Sequence, residues 1–285
     1  MSFAETTALG AIAGFTIFLG LPFARMERVG PRARVGLAML SVGILAFLFV
    51  DVTGQGFSIV EGAVSKLHHG GDLGQAIGYT LMFGAGLFAG IVGLTHVERR
   101  TRRERPLPPL AGGAAEALSP GQAEALAAFD AAAQRARALR TGLVIATAIG
   151  LHNFAEGLAI GVSAQAGEIG LATVLIIGFA LHNATEGFGI VGPLGNVRPS
   201  WRWLALAGLI GGGPTFLGSM VGYHVTSPAL ELAFYALAGG ALLYVIGEIW
   251  SGVRKLGHRS LGMYMLFVGL FAGFVTDLIV SYGGA

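Results

Sequence analysis

Residues 141–163 read TGLVIATAIGLHNFAEGLAIGVS, and residues 169–191 read IGLATVLIIGFALHNATEGFGIV. Each stretch is apolar and close to the roughly 20 residues that a helix needs to cross a bilayer. Each also carries one copy of the pattern His-Asn-x-x-Glu-Gly, beginning at His152 and at His182. The His and the Glu of one copy are four residues apart, so they share a helix face. Ionisable groups are costly at that depth and by default indicate a functional site.

The composition indicates an all-α, polytopic membrane protein. Of the 285 residues, 54% are hydrophobic and 12% are charged, whereas an ordinary soluble domain has about a quarter of its residues charged. The 47 glycines allow membrane helices to approach one another closely. The absence of cysteine excludes disulfides and a thiolate metal site. Residues 1–5 have no basic n-region, so no cleavable signal peptide is expected.

Eight apolar segments predict eight membrane-spanning helices. They cover residues 6–24, 36–58, 74–97, 141–163, 169–191, 202–223, 229–250 and 261–282. All but one of the 18 Lys and Arg fall in alternate loops, and the exception is Lys66. The positive-inside rule places those basic loops in the cytoplasm, with both termini outside, in the cytoplasmic (inner) membrane.

The predicted organisation has three parts: helices 1–3 over 1–97, a cytoplasmic loop with a short helix over 98–140, and helices 4–8 with the metal site over 141–285. The loop opens with a basic run and prolines, and it is too polar to cross the membrane. Ser119-Pro120-Gly121-Gln122 is typical of a helix start. We expect an Ala-rich helix to follow and to lead into span four.

Spans four and five are joined by a short turn, so they are antiparallel neighbours whose polar midpoints face each other. The candidate metal ligands are His152, Asn153, Glu156, His182, Asn183 and Glu186. Two imidazoles and two carboxylates suit zinc in roughly tetrahedral geometry, and would also accept iron, manganese, cobalt or cadmium. The two Asn residues offer either amide oxygens or hydrogen bonds to the ligands. The alternative is that these side chains only hydrogen-bond the helices together.

Three further acids lie within predicted spans: Asp51, Glu248 and Asp277. No basic residue lies at a comparable depth, so these acids are either protonated or bind something positive. Glu248 is a candidate for the inner part of a cation path. Asp51 and Asp277 either belong to that path or form neutral hydrogen bonds between helices.

The chain resembles the ZIP (Zrt/Irt-like) family of divalent metal transporters, in its bacterial type. The doubled HNxxEG pattern, the eight spans, the outer termini and the long loop after span three carry this resemblance. It implies a ZIP-like helix bundle whose transport site consists of the six candidate ligands. It also implies that Glu248 and Asp277 correspond to acidic positions of the family, that the protein is a homodimer, and that one helix bundle moves against a scaffold.

The chain departs from the family pattern in two places. Ala155 and Thr185 stand where the family usually has the proline of HNxPEG, which would kink the helix. In span six, many bacterial members have a Glu that helps to hold a second metal, and Thr215 replaces it here. We therefore predict one strongly bound metal. We also expect Gly211-Gly212-Gly213-Pro214 to break span six, as a hinge or as a packing accommodation.

These observations favour a permease that brings a divalent transition metal, zinc first, into the cytoplasm. There is no P-loop, so direct ATP-driven pumping is not expected. No nucleic-acid partner is expected either; the partners are the metal ion, the bilayer and a second copy of the chain. One alternative is an intramembrane metal-dependent hydrolase, although zinc peptidases favour HExxH rather than HNxxE. The other is a secondary transporter of a different solute that uses the buried acids as a proton relay.

Overall fold

The protein is a bundle of long α-helices. The structure, a computed structural model, describes residues 1–26, 30–102, 120–225, 227–254 and 256–284. The helices are α1 (Phe3–Phe15), α2 (Pro31–Ser65), α3 (Leu73–Arg102), α4 (Pro120–Gln165), α5 (Ile169–Val191), α6 (Trp201–His224), α7 (Pro228–Arg254) and α8 (Arg259–Gly284). No strand occurs within these ranges. Eight segments are long and apolar enough to cross a membrane, which confirms the predicted all-α, eight-span class.

The first span is not a single α-helix. Its start is fixed by a capping box, in which Ser2 and Glu5 bond to each other's backbone N–H groups. After Phe15 the chain continues in two 3₁₀ segments, Thr16–Leu19 and Leu21–Arg25. Gly20, between them, packs directly on α5, where any Cβ would lie 2.5 Å from the Ala184 carbonyl oxygen. The tighter winding therefore coincides with the place where the first span is closest to α5.

The segment predicted as a loop with a short helix, 98–140, is helical at both described ends. Helix α3 continues to Arg102, and α4 begins at Pro120 and runs without interruption to Gln165. The Ala-rich helix and span four are therefore one element of 46 residues. The basic run beyond Arg102, the three prolines and the predicted cap Ser119 lie outside the described residues.

The expected break in span six is wrong. Helix α6 runs from Trp201 to His224 with Pro214 inside it. Proline has no N–H for the carbonyl four residues earlier, that of Ile210. This carbonyl packs against Gly150 of α4, where an added Cβ would collide with it. The next carbonyl, of Gly211, accepts a hydrogen bond of 2.9 Å from Asn153 Nδ2. A membrane helix tolerates proline where neighbouring helices contact the freed backbone in this way.

Close helix contacts at glycines occur within two groups of four helices. Some glycines of the described residues lie so close to a neighbouring helix that an added Cβ would come within 2.5 Å of a backbone oxygen there. In every such case the two helices belong to the same group. The site bundle consists of α1, α4, α5 and α6, and includes the contact of Gly157 with the Thr215 carbonyl. The supporting bundle consists of two such pairs, α2 with α8, as at Gly43 and the Leu266 carbonyl, and α3 with α7. The packing of α2 on α7 joins the two pairs. Side-chain packing joins the two bundles, mainly through α4 on α7 and through α5 on α2 and α8.

The largest apolar core lies where the two bundles meet, on the Arg-rich side of the polar motif of α4. Its fully buried members include Leu45 of α2, Ile145 and Ile149 of α4, and Leu242 and Ile249 of α7. Each such side chain contributes roughly 1.5–3 kcal/mol when buried from water. In a membrane the same contacts act through close packing instead. This core closes one side of the polar motif of α4.

Candidate metal site

Two antiparallel helices present the site. A turn with Gly167 at φ 83° joins α4 to α5, and the left-handed backbone there suits glycine. His152 and Glu156 stand one turn apart on α4, and His182 faces them from α5. The exposed fractions of His152, Glu156 and His182 are 0%, 4% and 9%. The apolar residues around each motif make the helices, and the helix period aligns the polar residues on the buried face.

Glu156 stands between two imidazoles. Its Oε1 lies 2.9 Å from His152 Nε2 and 2.5 Å from His182 Nε2. The three ligand atoms all lie within 4.8 Å of one another, and we call these residues the triad. Two imidazoles and one carboxylate are a known set of three protein ligands for an accessible zinc ion, which keeps its fourth position open. The triad therefore has the chemistry and the spacing of a divalent-cation site.

Glu186 is held beside the triad rather than in it. Its side chain is 1% exposed, and its Oε2 accepts a hydrogen bond of 3.1 Å from Asn153 Nδ2. Asn183 Nδ2 donates to the Ala13 carbonyl of α1 at 3.2 Å. Of the six candidate ligands, the structure thus brings the side chains of three together and leaves Glu186 hydrogen-bonded to Asn153.

Several buried oxygen atoms near the triad lack a hydrogen-bond donor among the described residues. They are Glu156 Oε2, Glu186 Oε1, Asn153 Oδ1, Asn183 Oδ1 and Thr215 Oγ1. Leaving a buried polar atom unsatisfied costs about 1–3 kcal/mol. Four of the five belong to residues that the sequence predicts as ligands. A cation beside the triad would give such oxygens a positive partner.

Thr215 lies in span six at the position where the family comparison above predicted a neutral residue instead of a Glu. Its side chain is fully buried, and a Cβ at Gly14 of α1 would lie 3.0 Å from its Oγ1. The short side chain therefore fills the contact between α1 and α6. A neutral hydroxyl compensates the charge of a cation far less than a carboxylate does, so this position favours a second metal only weakly.

A cavity of about 550 Å³ reaches the triad from the side opposite the apolar core. It lies between α2, α4, α5, α7 and α8, and His182 forms part of its wall. Its polar lining also includes Asp51, Gln55, Ser163, Thr185, Glu231, Tyr235, Thr276 and Asp277. Gln55 Nε2 donates to Asp51 Oδ2 at 3.1 Å. The cavity therefore joins a group of carboxylates to one ligand of the triad.

Of the three further acids that the sequence predicted for a cation path, two line the cavity and one does not. Asp51 and Asp277, far apart in the chain, line it together. Glu248 is not among the described residues that line the cavity. It lies about two turns before the C-terminal end of α7, whereas the cavity lies at the N-terminal end of that helix. Sequence reasoning missed Glu231, because an acid in the first turn of a helix is commonly explained by the helix dipole. Glu231 lies four residues before Tyr235, so both side chains share one face of α7, and both line the cavity. This spacing is what could have pointed to Glu231 in the sequence.

Comparison with known proteins gives consistent results. The model of the ZIP zinc transporter family matches residues 116–246, which include both motifs. The chain is 26% identical over 275 residues to a zinc transporter ZupT of Corynebacterium aurimucosum, covering 92% of each chain. It is 32% identical over 146 residues to a ZupT of Clostridium perfringens, covering 50% of this chain and 51% of that protein. It is also 32% identical over 152 residues to the zinc transporter ZIPB of Bordetella bronchiseptica, covering 52% and 47%.

Proposed function

Because the chain belongs to the ZIP family, in its bacterial type, we propose that it carries zinc or a related divalent transition metal across the membrane into the cytoplasm. The family and the relatives are transporters, so the chain is not an enzyme. The observation that carries the proposal is the buried triad of His152, Glu156 and His182. A permanent structural zinc site is closed by four ligands, whereas three ligands and a nearby cavity allow the ion to exchange.

The cavity is the proposed route from outside to the triad. Asp51, Glu231 and Asp277 place carboxyl groups in its wall, and in their ionised form these would attract a divalent cation. The ion exchanges part of its hydration shell for His182 and then for the rest of the triad. Since the apolar core closes the opposite side, we infer that the structure corresponds to an outward-facing state. Inward release requires the two bundles to shift at their shared face.

Metal uptake into proteoliposomes tests this proposal. The purified protein should accumulate zinc in a saturable manner, and iron, manganese, cobalt and cadmium added in excess should compete with it. Protein-free liposomes are the control. If the protein moves no divalent metal under any ionic gradient, the proposed function is wrong.

Neither alternative has a specific observation in its favour. A metal-dependent hydrolase uses a base besides its ligands. Glu156 is a member of the triad, and the neighbouring Glu186 accepts a hydrogen bond from Asn153. A proton relay for another solute would explain Asp51 and Asp277 but not the triad. Peptide or ester hydrolysis by the zinc-loaded protein would favour the first alternative. Uptake of another solute without metal would favour the second.

We expect one tightly bound metal ion per chain. Only one group of three His or acidic ligand atoms comes together in the described part of the chain, and one oxygen of Glu186 accepts a hydrogen bond from Asn153 instead of joining that group. Isothermal titration with zinc, checked by elemental analysis of the protein after dialysis, should give one tight equivalent. Two equivalents of equal affinity would contradict the prediction. The number of copies in the assembly, for which we propose two, is read separately from light scattering.

Acid should weaken zinc binding. Metal ligation requires neutral His152 and His182 and an ionised Glu156, so protons compete with the metal and binding releases them. The affinity is therefore expected to fall steadily as the pH is lowered from about 7.5 to about 5.5, because protons compete increasingly with the metal for the same ligand atoms. Titrations at matched ionic strength in two buffers with different protonation enthalpies measure both the affinity and the protons released. An affinity that stays constant between pH 7.5 and 5.5 would argue against imidazole ligands.

A further inference from the structure

A groove separate from the metal path lies where α7 and α8 meet the start of α2. It has a volume of about 290 Å³, large enough for on the order of ten groups of water size at about 30 Å³ each. Val35 and Met39 of α2 and Val253 of α7 form its apolar floor, and all three are at most 4% exposed. Met263 of α8, which is 46% exposed, connects this floor with the outer surface of the bundle.

The rim of the groove is positively charged. Arg254 and Arg259 line it, together with His258. An adjoining open recess shares His258 and Arg259 and adds Arg32 from α2. No acidic residue is among the described residues that line the groove or the recess. Three helix ends thus bring guanidinium groups to one mouth without a carboxylate in the lining to neutralise them.

The position of the groove matches the boundary between membrane and water. Trp250, one turn before the end of α7, lines the groove, and tryptophan is enriched at that boundary. Beyond Met263, α8 exposes Tyr264, Phe267 and Phe271, at 71%, 63% and 55%, on the outer surface of the bundle. The apolar floor therefore continues into lipid, and the basic rim lies at the depth of phospholipid head groups.

We propose that this groove binds one anionic phospholipid, with the phosphate at the arginine rim and the first part of an acyl chain over the apolar floor. Free phosphate would satisfy the arginines but would leave the apolar part of the groove empty and Met263 exposed. A zwitterionic lipid would fill the floor but would bring its own cation to the guanidinium groups. An anionic lipid matches both halves of the groove. The lipid would also hold the start of α2 to α7 and α8, which all belong to the supporting bundle.

Lipid titration monitored by native mass spectrometry tests the proposal. The protein in a neutral detergent is titrated with phosphatidylglycerol or with phosphatidylcholine of the same acyl chains. We expect one phosphatidylglycerol to be retained in preference. The double variant R254Q/R259Q should bind it about thirtyfold more weakly, the equivalent of about 1 kcal/mol for each arginine. The matched control R99Q/R100Q removes the same charge from the end of α3, outside the groove, and should bind normally.

A second variant tests the apolar floor without changing any charge. A Cβ at Gly262 would lie 3.3 Å from Met39 Cγ, so Gly262→Val fills the groove and should weaken phosphatidylglycerol binding at least tenfold. This variant also decides the matter if R254Q/R259Q does not fold. Equal retention of phosphatidylcholine, equal loss in the two arginine pairs, or normal binding by Gly262→Val would each overturn the proposal. Complete displacement of the lipid by excess inorganic phosphate would assign the rim to a soluble anion instead.

Discussion

Replacing Glu156 with Gln should reduce zinc uptake at least about a hundredfold and remove the tight metal equivalent. Its Oε1 is the atom that both His152 Nε2 and His182 Nε2 approach, at 2.9 and 2.5 Å. Gln keeps the shape of the side chain but removes its negative charge, which offsets the cation where water is scarce. Residues that merely orient a metal ligand already contribute about 10–100-fold, so loss of a ligand should cost more.

Zinc uptake into proteoliposomes and zinc titration of the same preparation measure this effect. Glu168→Gln is the matched control, because Glu168 is exposed at the start of α5 and outside the triad. It should retain both uptake and binding. Uptake by Glu156→Gln at the rate of the unmodified protein would show that the triad is not the transport site. A folded variant, verified by its elution and its helical circular dichroism, is required in either case.

Replacing Gly157 with Ala should destabilise the protein by about 3 kcal/mol and disturb the metal site through the helix packing. A Cβ at Gly157 would collide with the Thr215 carbonyl oxygen and would lie 2.8 Å from the Ser219 nitrogen and 2.9 Å from the Gly218 Cα. All three are backbone atoms of α6, which no rotamer change can move aside. Overpacking costs typically about 1–3 kcal/mol, and a contact with rigid backbone belongs at the upper end.

The control for this change lies in α6 itself. Gly213 has open space where a Cβ would be, so Gly213→Ala should be neutral or slightly stabilising. Thermal unfolding in detergent, followed by fluorescence-detected size exclusion, compares the two variants with the unmodified chain. Equal midpoints for Gly157→Ala and Gly213→Ala would refute the close packing of α4 on α6. Because Gly157 follows Glu156, zinc affinity in Gly157→Ala should fall together with stability.

The missing motif prolines illustrate how the tertiary structure changes a sequence argument. Ala155 and Thr185 leave α4 and α5 regular, and Thr185 Oγ1 donates to the His182 carbonyl at 2.7 Å. Pro214 lies instead within the facing helix α6, three residues after Gly211, whose carbonyl accepts a hydrogen bond from Asn153. Sequence alone pointed to a break in α6 at this proline. It could not show that Gly150 of α4 packs against the freed Ile210 carbonyl, or that α6 is continuous there.

The sequence by itself determined the helical class, the eight spans and the six polar residues from which the triad is drawn. Long apolar segments have few alternatives in a bilayer, and the spacing of four places His152 and Glu156 on one face regardless of the rest of the fold. The motif of α5 follows from the same local rules.

Only the tertiary structure decided how the six candidate ligands are divided. The short distances from Glu156 to both imidazoles, and the bond from Asn153 to Glu186, depend on how α4, α5 and α6 are rotated against one another. That rotation is set by contacts between glycines and backbone atoms far apart in the chain, such as Gly157 with α6 and Gly187 with Gly20. The same packing brings Asp51, Glu231 and Asp277 into one cavity. Helix periodicity specifies a face, but the neighbour that the face meets depends on the whole bundle.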